Sequence, residues 1–180
     1  HGIKEFKKSG KKIYTSLGNV ATSGGYFISL GTNKVFANKS TLTGSIGVLS
    51  IHKNIKGLHD ILGIKRDIIK SGKYSDLTSS TKSLSEEEKK ILRQHQDYFH
   101  TTFITYLMEN RNLSYQEAYE LSQGQLILGS EAQLLNLIDG IGNFNDTIDA
   151  LARDINIKNP ELIYFRPQIP DIRQILRYNI

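Results

Sequence analysis

The sequence predicts an α/β fold built as one domain over residues 1–180. Short β-prone runs alternate with helical periods along the chain, as they do when helices and strands form successive layers. One of those helical periods is long and carries a cap signature at its start. The 180 residues, 38% of them apolar, are enough to bury a single sizeable core.

Taken in order, HGIKEFKKSGKK reads as the polar end of a helix running into a lysine-rich turn. The segment KKIYTSLGNVATS has a β-prone run from Ile13 to Ser16, then Leu17-Gly18-Asn19 as a turn. Small residues then lead into Ser23-Gly24-Gly25-Tyr26, giving strand, tight turn and helix. Over residues 24–31, Tyr26, Phe27, Ile28 and Leu30 suit a short buried helix, and VFANKSTLTGSIGVLS supplies two short strands around Asn38 to Ser45. In NIKGLHDILGI the apolar positions Ile55, Leu58, Ile61 and Leu62 recur at helical spacing. KRDIIKSGKYSD is expected to follow as a strand ending in a glycine-containing turn, making a strand–helix–strand crossover. Ser85 with Glu88 three residues on forms a capping box, and the helical period after it lasts about seven turns. Its apolar stripe, including Phe99, Phe103, Ile104 and Leu107, is expected to face the core or a subunit interface. A short helix (Tyr115 to Leu121), the loop SQGQLILGS, a helix opened by Ser130 and a strand-like ELIYFRP complete the pattern.

Composition excludes several chemistries. With no cysteine, disulfides and thiolate metal sites within the chain are ruled out. The net charge of +5 comes from lysines dispersed among acids, as in SLSEEEKKILRQ, with no aromatic-interleaved basic motif, so no nucleic-acid partner is expected. The five histidines (1, 52, 59, 95 and 100) lack metal-site spacing and no phosphate loop ends in Gly-Lys-Ser/Thr, so neither metal nor cofactor is expected. There is no apolar run of about 18 residues and no leader pattern. Because the chain opens on His1, it is read as an N-terminally truncated piece whose membrane anchor, if any, lies upstream.

The chemistry centres on Ser23. A serine hydroxyl attacks a carbonyl only when a base takes its proton and donors stabilise the oxyanion that forms. At a helix start followed by Gly24-Gly25, Ser23 would sit beside free backbone N–H groups with room for a substrate carbonyl. A lone Ser-Gly-Gly is also what a simple helix N-cap looks like.

The wider context resembles the nucleophile segment of the signal peptide peptidase A (protease IV) family of serine proteases. The matching residues are Ser23 to Tyr26, Lys34 to Asn38 and Leu42 to Gly47, with weaker similarity through IIKSGKYSD, the SEEEKK helix start and GSEAQLLNLIDGIG. The resemblance implies a Clp protease/crotonase-like fold of stacked αβ units, oligomeric assembly, membrane association and hydrolysis of hydrophobic peptides such as cleaved signal peptides. It implies a serine–lysine dyad with Ser23 as nucleophile, the Gly24 N–H as one oxyanion donor and Ser45 orienting the base. For Ser45 the alternative is a turn serine. The second oxyanion donor would come from a loop preceding this chain.

One position departs from the family pattern. The residue aligned with the general-base lysine is Ser75, whose hydroxyl is no stronger a base than the serine it would have to activate. Lys73 could substitute if the segment is extended, since residues two apart share a side. The lysine could instead come from another part of a longer protein, or the chain could be a catalytically inactive assembly subunit. A crotonase-like acyl-transfer enzyme shares the fold class but is disfavoured by the paired TSGGY and TGSIG motifs.

Overall fold

The computed structural model describes residues 1–165. Helix α1 (Gly2–Lys8) leads to strand β1 (Tyr14–Leu17), and the turn after β1 opens helix α2 (Gly24–Ser29). Strands β2 (Lys34–Ala37) and β3 (Leu42–Gly44) follow, then α3 (Lys56–Ile61) and the long α4 (Glu86–Arg111). The remaining elements are α5 (Tyr115–Glu120), β4 (Leu126–Leu128), α6 (Gly129–Leu134), β5 (Gly140–Ile141) and α7 (Phe144–Asp154). A parallel sheet has the order β1-β2-β5, and β3 pairs with β4 antiparallel. Parallel neighbours need crossovers, and here α2 links β1 to β2.

The core lies between this small sheet and α4. Val35 and Ala37 of β2 pack with Tyr26 of α2, with Leu30 at its C-terminal end, and with Phe103, Ile104 and Leu107 of α4. The α4 stripe therefore faces inward as expected, except that Phe99 is 59% exposed. The helix starts where the sequence places it: Glu88 N–H donates to Ser85 Oγ at 3.2 Å, and Ser85 N–H donates to Glu88 Oε2 at 2.9 Å. It ends at Asn112, whose φ of 52° is the left-handed conformation that asparagine tolerates better than most residues.

Four expectations need correction. Residues 64–70 form no strand, and after them come turns rather than extended chain. A strand must pair its N–H and C=O groups, and this run finds no ladder partner; Ile68 and Ile69 stay 52% and 100% exposed. Within SQGQLILGS, Leu126–Leu128 is a strand rather than a loop, its pairing supplied by β3. The following helix begins at Gly129, not at Ser130: the Gly129 and Ser130 N–H groups donate to Thr41 and Lys39 carbonyls, so no side-chain cap is needed. In ELIYFRP, residues 161–165 are not a strand, and Arg166 and Pro167 lie outside the described residues.

The contact between α6 and the chain after β2 is tight enough to predict its mutational cost. A Cβ on Gly129 would lie 2.0 Å from the Asn38 carbonyl oxygen. Gly129→Ala must therefore push two backbone segments apart, and urea unfolding is expected to show a loss of about 3 kcal/mol or more. Gly57→Ala in α3, where a Cβ meets nothing within 4 Å, is expected to be neutral or slightly stabilising.

Candidate active site

Residues 18–23 and 41–44 run side by side and are laced together by backbone and threonine hydrogen bonds. Leu42 N–H donates to Asn19, Ala21 N–H to Leu42 and Ser23 N–H to Gly44, at 2.8–2.9 Å. The buried Thr41 and Thr43 hydroxyls donate to the carbonyls of Gly18 and Ala21, each at 2.8 Å. Each threonine thus satisfies a carbonyl that would otherwise be costly to bury. The Ser-Gly-Gly-Tyr and Leu-Thr-Gly-Ser motifs therefore form one structural unit.

Ser23 stands at the head of α2 with φ 50° and ψ −117°, and its side chain makes no capping hydrogen bond. Positive φ is strained for a residue with a Cβ, at a cost of about 1–3 kcal/mol, and persists only where the surroundings impose it. Here the Gly44 carbonyl holds the Ser23 N–H, and the Ser23 carbonyl accepts the Phe27 N–H at 2.8 Å. The simple N-cap role is thereby removed: an N-cap serine has extended φ/ψ and bonds back to the helix, whereas Ser23 does neither. A serine on a strained strand-to-helix turn leaves its hydroxyl free for other work.

Gly24 and Gly25 are exposed, and a Cβ on either would meet nothing within 4 Å. The protein's own packing does not require glycine here, and the open side leaves room for an approaching carbonyl. Gly25 N–H donates to Thr22, but among the described residues no acceptor takes the Gly24 N–H. Tyr26 fixes the helix from below: its buried hydroxyl donates to the Leu137 carbonyl at 2.7 Å, and burial pushes its pKa well above the ordinary tyrosine value. Beside that anchor, Arg111 Nη1 donates to Asp139 Oδ2 at 2.9 Å, and the same oxygen accepts the Val35 N–H at 2.7 Å.

Ser45 follows the Gly44 that holds Ser23, itself at φ 50°, with its N–H donating to Gln125 at 2.8 Å. Ser23, Gly24 and Ser45 are thus brought together. Lys73 and Ser75 belong to a different arrangement. Both are exposed in a turn whose Ser75 N–H donates to Gly72 at 3.2 Å. Lys73 Nζ lies 2.5 Å from Glu87 Oε2, and this hydrogen bond, with that of Tyr74, raises the lysine pKa. A general-base lysine needs the opposite shift. The structure also gives parts to groups to which the motifs assign no role, namely Thr41, Thr43 and Glu87. The alternation of TLT between Asn38 and Gly44 is the signal for the first two.

The turn carrying Ser75 is fastened to the start of α4 by ion pairs. Asp76 Oδ1 lies 2.7 Å from Lys70 Nζ and 3.3 Å from Lys82 Nζ, and Lys82 also pairs with Glu88. Hydrogen bonds from Lys70 and Lys82 respectively hold the Asp76 and Glu88 pKa values below the ordinary carboxylate range. Carboxylates with lowered folded-state pKa contribute stability above their unfolded value, about pH 4, and lose it as pH falls through the folded value. Amide exchange over residues 70–88 is therefore expected to accelerate below about pH 4, ahead of exchange in α2 and β2. Equal acceleration in both regions would contradict this account.

Among the described residues no cluster of three or more His, Cys, Asp or Glu side chains is placed to hold a metal ion, and no helix is long and apolar enough to cross a membrane.

Comparison with known proteins bears on this arrangement. Residues 5–158 match the model of peptidase family S49. A protein of Enterococcus faecium named for signal peptide peptidase SppA is 34% identical over 162 residues, 90% of this chain and 47% of that protein. Protease 4 of Salmonella typhi is 30% identical over 162 residues, 90% of this chain and 26% of its own length. The chloroplastic serine protease SPPA of Arabidopsis thaliana is 28% identical over 148 residues, 82% of this chain and 22% of its own. The chain thus spans half or less of the length of these curated relatives. Among solved structures, a mutant of the 1510-N membrane-bound stomatin-specific protease in complex with a substrate peptide superposes with a TM-score of 0.54 at 13% identity. The match covers 97% of this chain and 72% of that one. That likeness bears on the fold alone, which is Clp protease/crotonase-like as expected.

Proposed function

This chain belongs to peptidase family S49 and is related to SppA, and from that premise we propose that it is the nucleophile-bearing part of a serine endopeptidase acting on hydrophobic peptides such as released signal peptides. The observation that carries the reading is Ser23 itself, held at φ 50° with its side chain uncapped. In this reading Ser23 attacks the peptide carbonyl, the Gly24 N–H receives the oxyanion, and Ser45 orients the base. The N–H beside Ser23 needs no rearrangement to act, because no other group among the described residues occupies it.

The base is the incomplete part. A lysine in Glu87's ion pair is held as its ammonium form, and Ser75 has no basic group. These two observations favour a second reading, in which Ser23 acts only with a lysine brought from another part of a longer protein, or the domain serves as a non-catalytic subunit. Homo-oligomerisation belongs to both readings. Leu49, Ile51, Ile61 and Ile69 are between 76% and 100% exposed, which is unusual for a segment that faces water alone. Membrane association, with the peptidase domain outside the cytoplasm or at the bilayer surface, is proposed by analogy with the family.

Reaction with a serine-directed fluorophosphonate, followed by mass spectrometry of the modified peptide, tests the assignment. Modification is expected on Ser23 and nowhere else, and to vanish in Ser23→Ala. Labelling that survives this substitution would sink it.

A further inference from the structure

The β3 end that holds Ser23 opens onto a cavity of about 570 Å³ between residues 45–49, one face of α4 and the turn after α5. Arg93, Gln96, Asp97 and His100 line it from α4, at the spacing of a single helical face, with Ser45 and Ser122 opposite. The floor is close-packed backbone: Gly124 N–H donates to Ile46 at 2.9 Å, and a Cβ on Gly47 would lie 3.2 Å from Gly124 Cα.

Its charges are available. Arg93 makes no hydrogen bond or ion pair among the described residues, although Asp97 sits one helical turn away on the same face, and Asp97 is likewise without one. His100 Nε2 donates to the Ser122 carbonyl at 2.7 Å, because a carbonyl can only accept, so the ring is fixed by one nitrogen. A guanidinium and a carboxylate about one turn apart, each without a protein partner, suit a ligand that carries an anion and an N–H donor side by side. The free C-terminus of a peptide is such a group: its carboxylate can take the Arg93 fork and its last amide N–H can donate to Asp97.

We infer that this cavity binds the C-terminal carboxylate of the peptide substrate. The inference rests on the peptidase reading of Ser23 and deepens it. Ser45, which lines the cavity, directly follows the Gly44 whose carbonyl holds the Ser23 N–H, so the cavity adjoins the segment that carries the nucleophile. Freed peptides would be preferred to internal segments of intact chains, which present no terminal carboxylate to Arg93.

The test uses the full chain carrying Ser23→Ala, so that nothing is turned over, and fluorescence anisotropy with an N-terminally dye-labelled apolar decapeptide. The peptide is prepared as the free acid and as the C-terminal amide. The acid is expected to bind about tenfold more tightly, as one charge-assisted contact allows, and Arg93→Gln is expected to bring it down to the amide's affinity. Arg93→Lys, which keeps the charge but not the fork, should retain part of the preference. Equal affinities, an acid preference that survives Arg93→Gln, or no binding of either peptide would each overturn the inference. Fluorophosphonate labelling of the Ser75→Lys chain, which restores a lysine at the position the family resemblance gives the base, separates the two claims. Labelling at Ser23 with equal affinities removes the carboxylate site alone; an Arg93-dependent acid preference without labelling supports the site and removes the peptidase reading.

Discussion

Replacing Ser75 by lysine is expected to raise the rate of fluorophosphonate labelling at Ser23 by about 10²-fold, the lower end of what a positioned general base contributes. Ser75 is the position at which the family resemblance places the base, and in this structure it lies in an exposed turn with Lys70 and Lys73 nearby in sequence. Lys70 is engaged by Asp76 and Lys73 by Glu87, so neither serves Ser23 as the turn is held. A lysine at 75 would enter a turn whose cations Lys70, Lys73 and Lys82 are already paired with Asp76, Glu87 and Glu88, so its amine has no unpaired carboxylate there to hold it as the ammonium form. Labelling in the variant should therefore rise with pH as that amine deprotonates. A wild-type chain that already labels as fast as Ser75→Lys would place the base elsewhere. Loss of its labelling in Lys73→Ala would then identify Lys73, after release from Glu87.

The features most legible in the sequence are those with local causes. The Ser85–Glu88 capping box marks the start of α4, and helical periodicity marks the inward face of Phe103, Ile104 and Leu107, because both signals act within a turn or two of chain. The Asn143–Asp146 box that opens α7 is the same kind of signal in a less conspicuous pair of residues; Asn143 Oδ1 accepts the Asn145 and Asp146 N–H groups. What the sequence hides depends on partners far along the chain. Leu126–Leu128 is a strand because β3 pairs with it, whereas 64–70 is not because nothing does. The site divides the same way. Ser23, Gly24 and Ser45 are legible from motif and spacing, but the lacing of 18–23 to 41–44 and the capture of Lys73 by Glu87 are tertiary. That capture turns the base from a question of alignment into one of charge.

Ser23→Gly, made in the Ser75→Lys background where labelling is expected to be faster, is expected to abolish labelling while stabilising the fold. Glycine adopts positive φ without the Cβ clash, so the substitution relieves strain of about 1–3 kcal/mol. Part of that gain is offset by the greater freedom of glycine in the unfolded chain, leaving about 1 kcal/mol in urea unfolding. Ser23→Ala loses the same hydroxyl but keeps the Cβ, and should leave stability nearly unchanged because the side chain caps nothing. The pair separates two origins of the Ser23 conformation. If Ser23→Gly stabilises and Ser23→Ala does not, the strain is imposed on the serine by the Gly44 carbonyl and the α2 start, as expected where function rather than stability sets the backbone. If both destabilise equally, the hydroxyl holds the turn together and Ser23 is a structural residue. In that case the peptidase reading would lose the observation on which it stands.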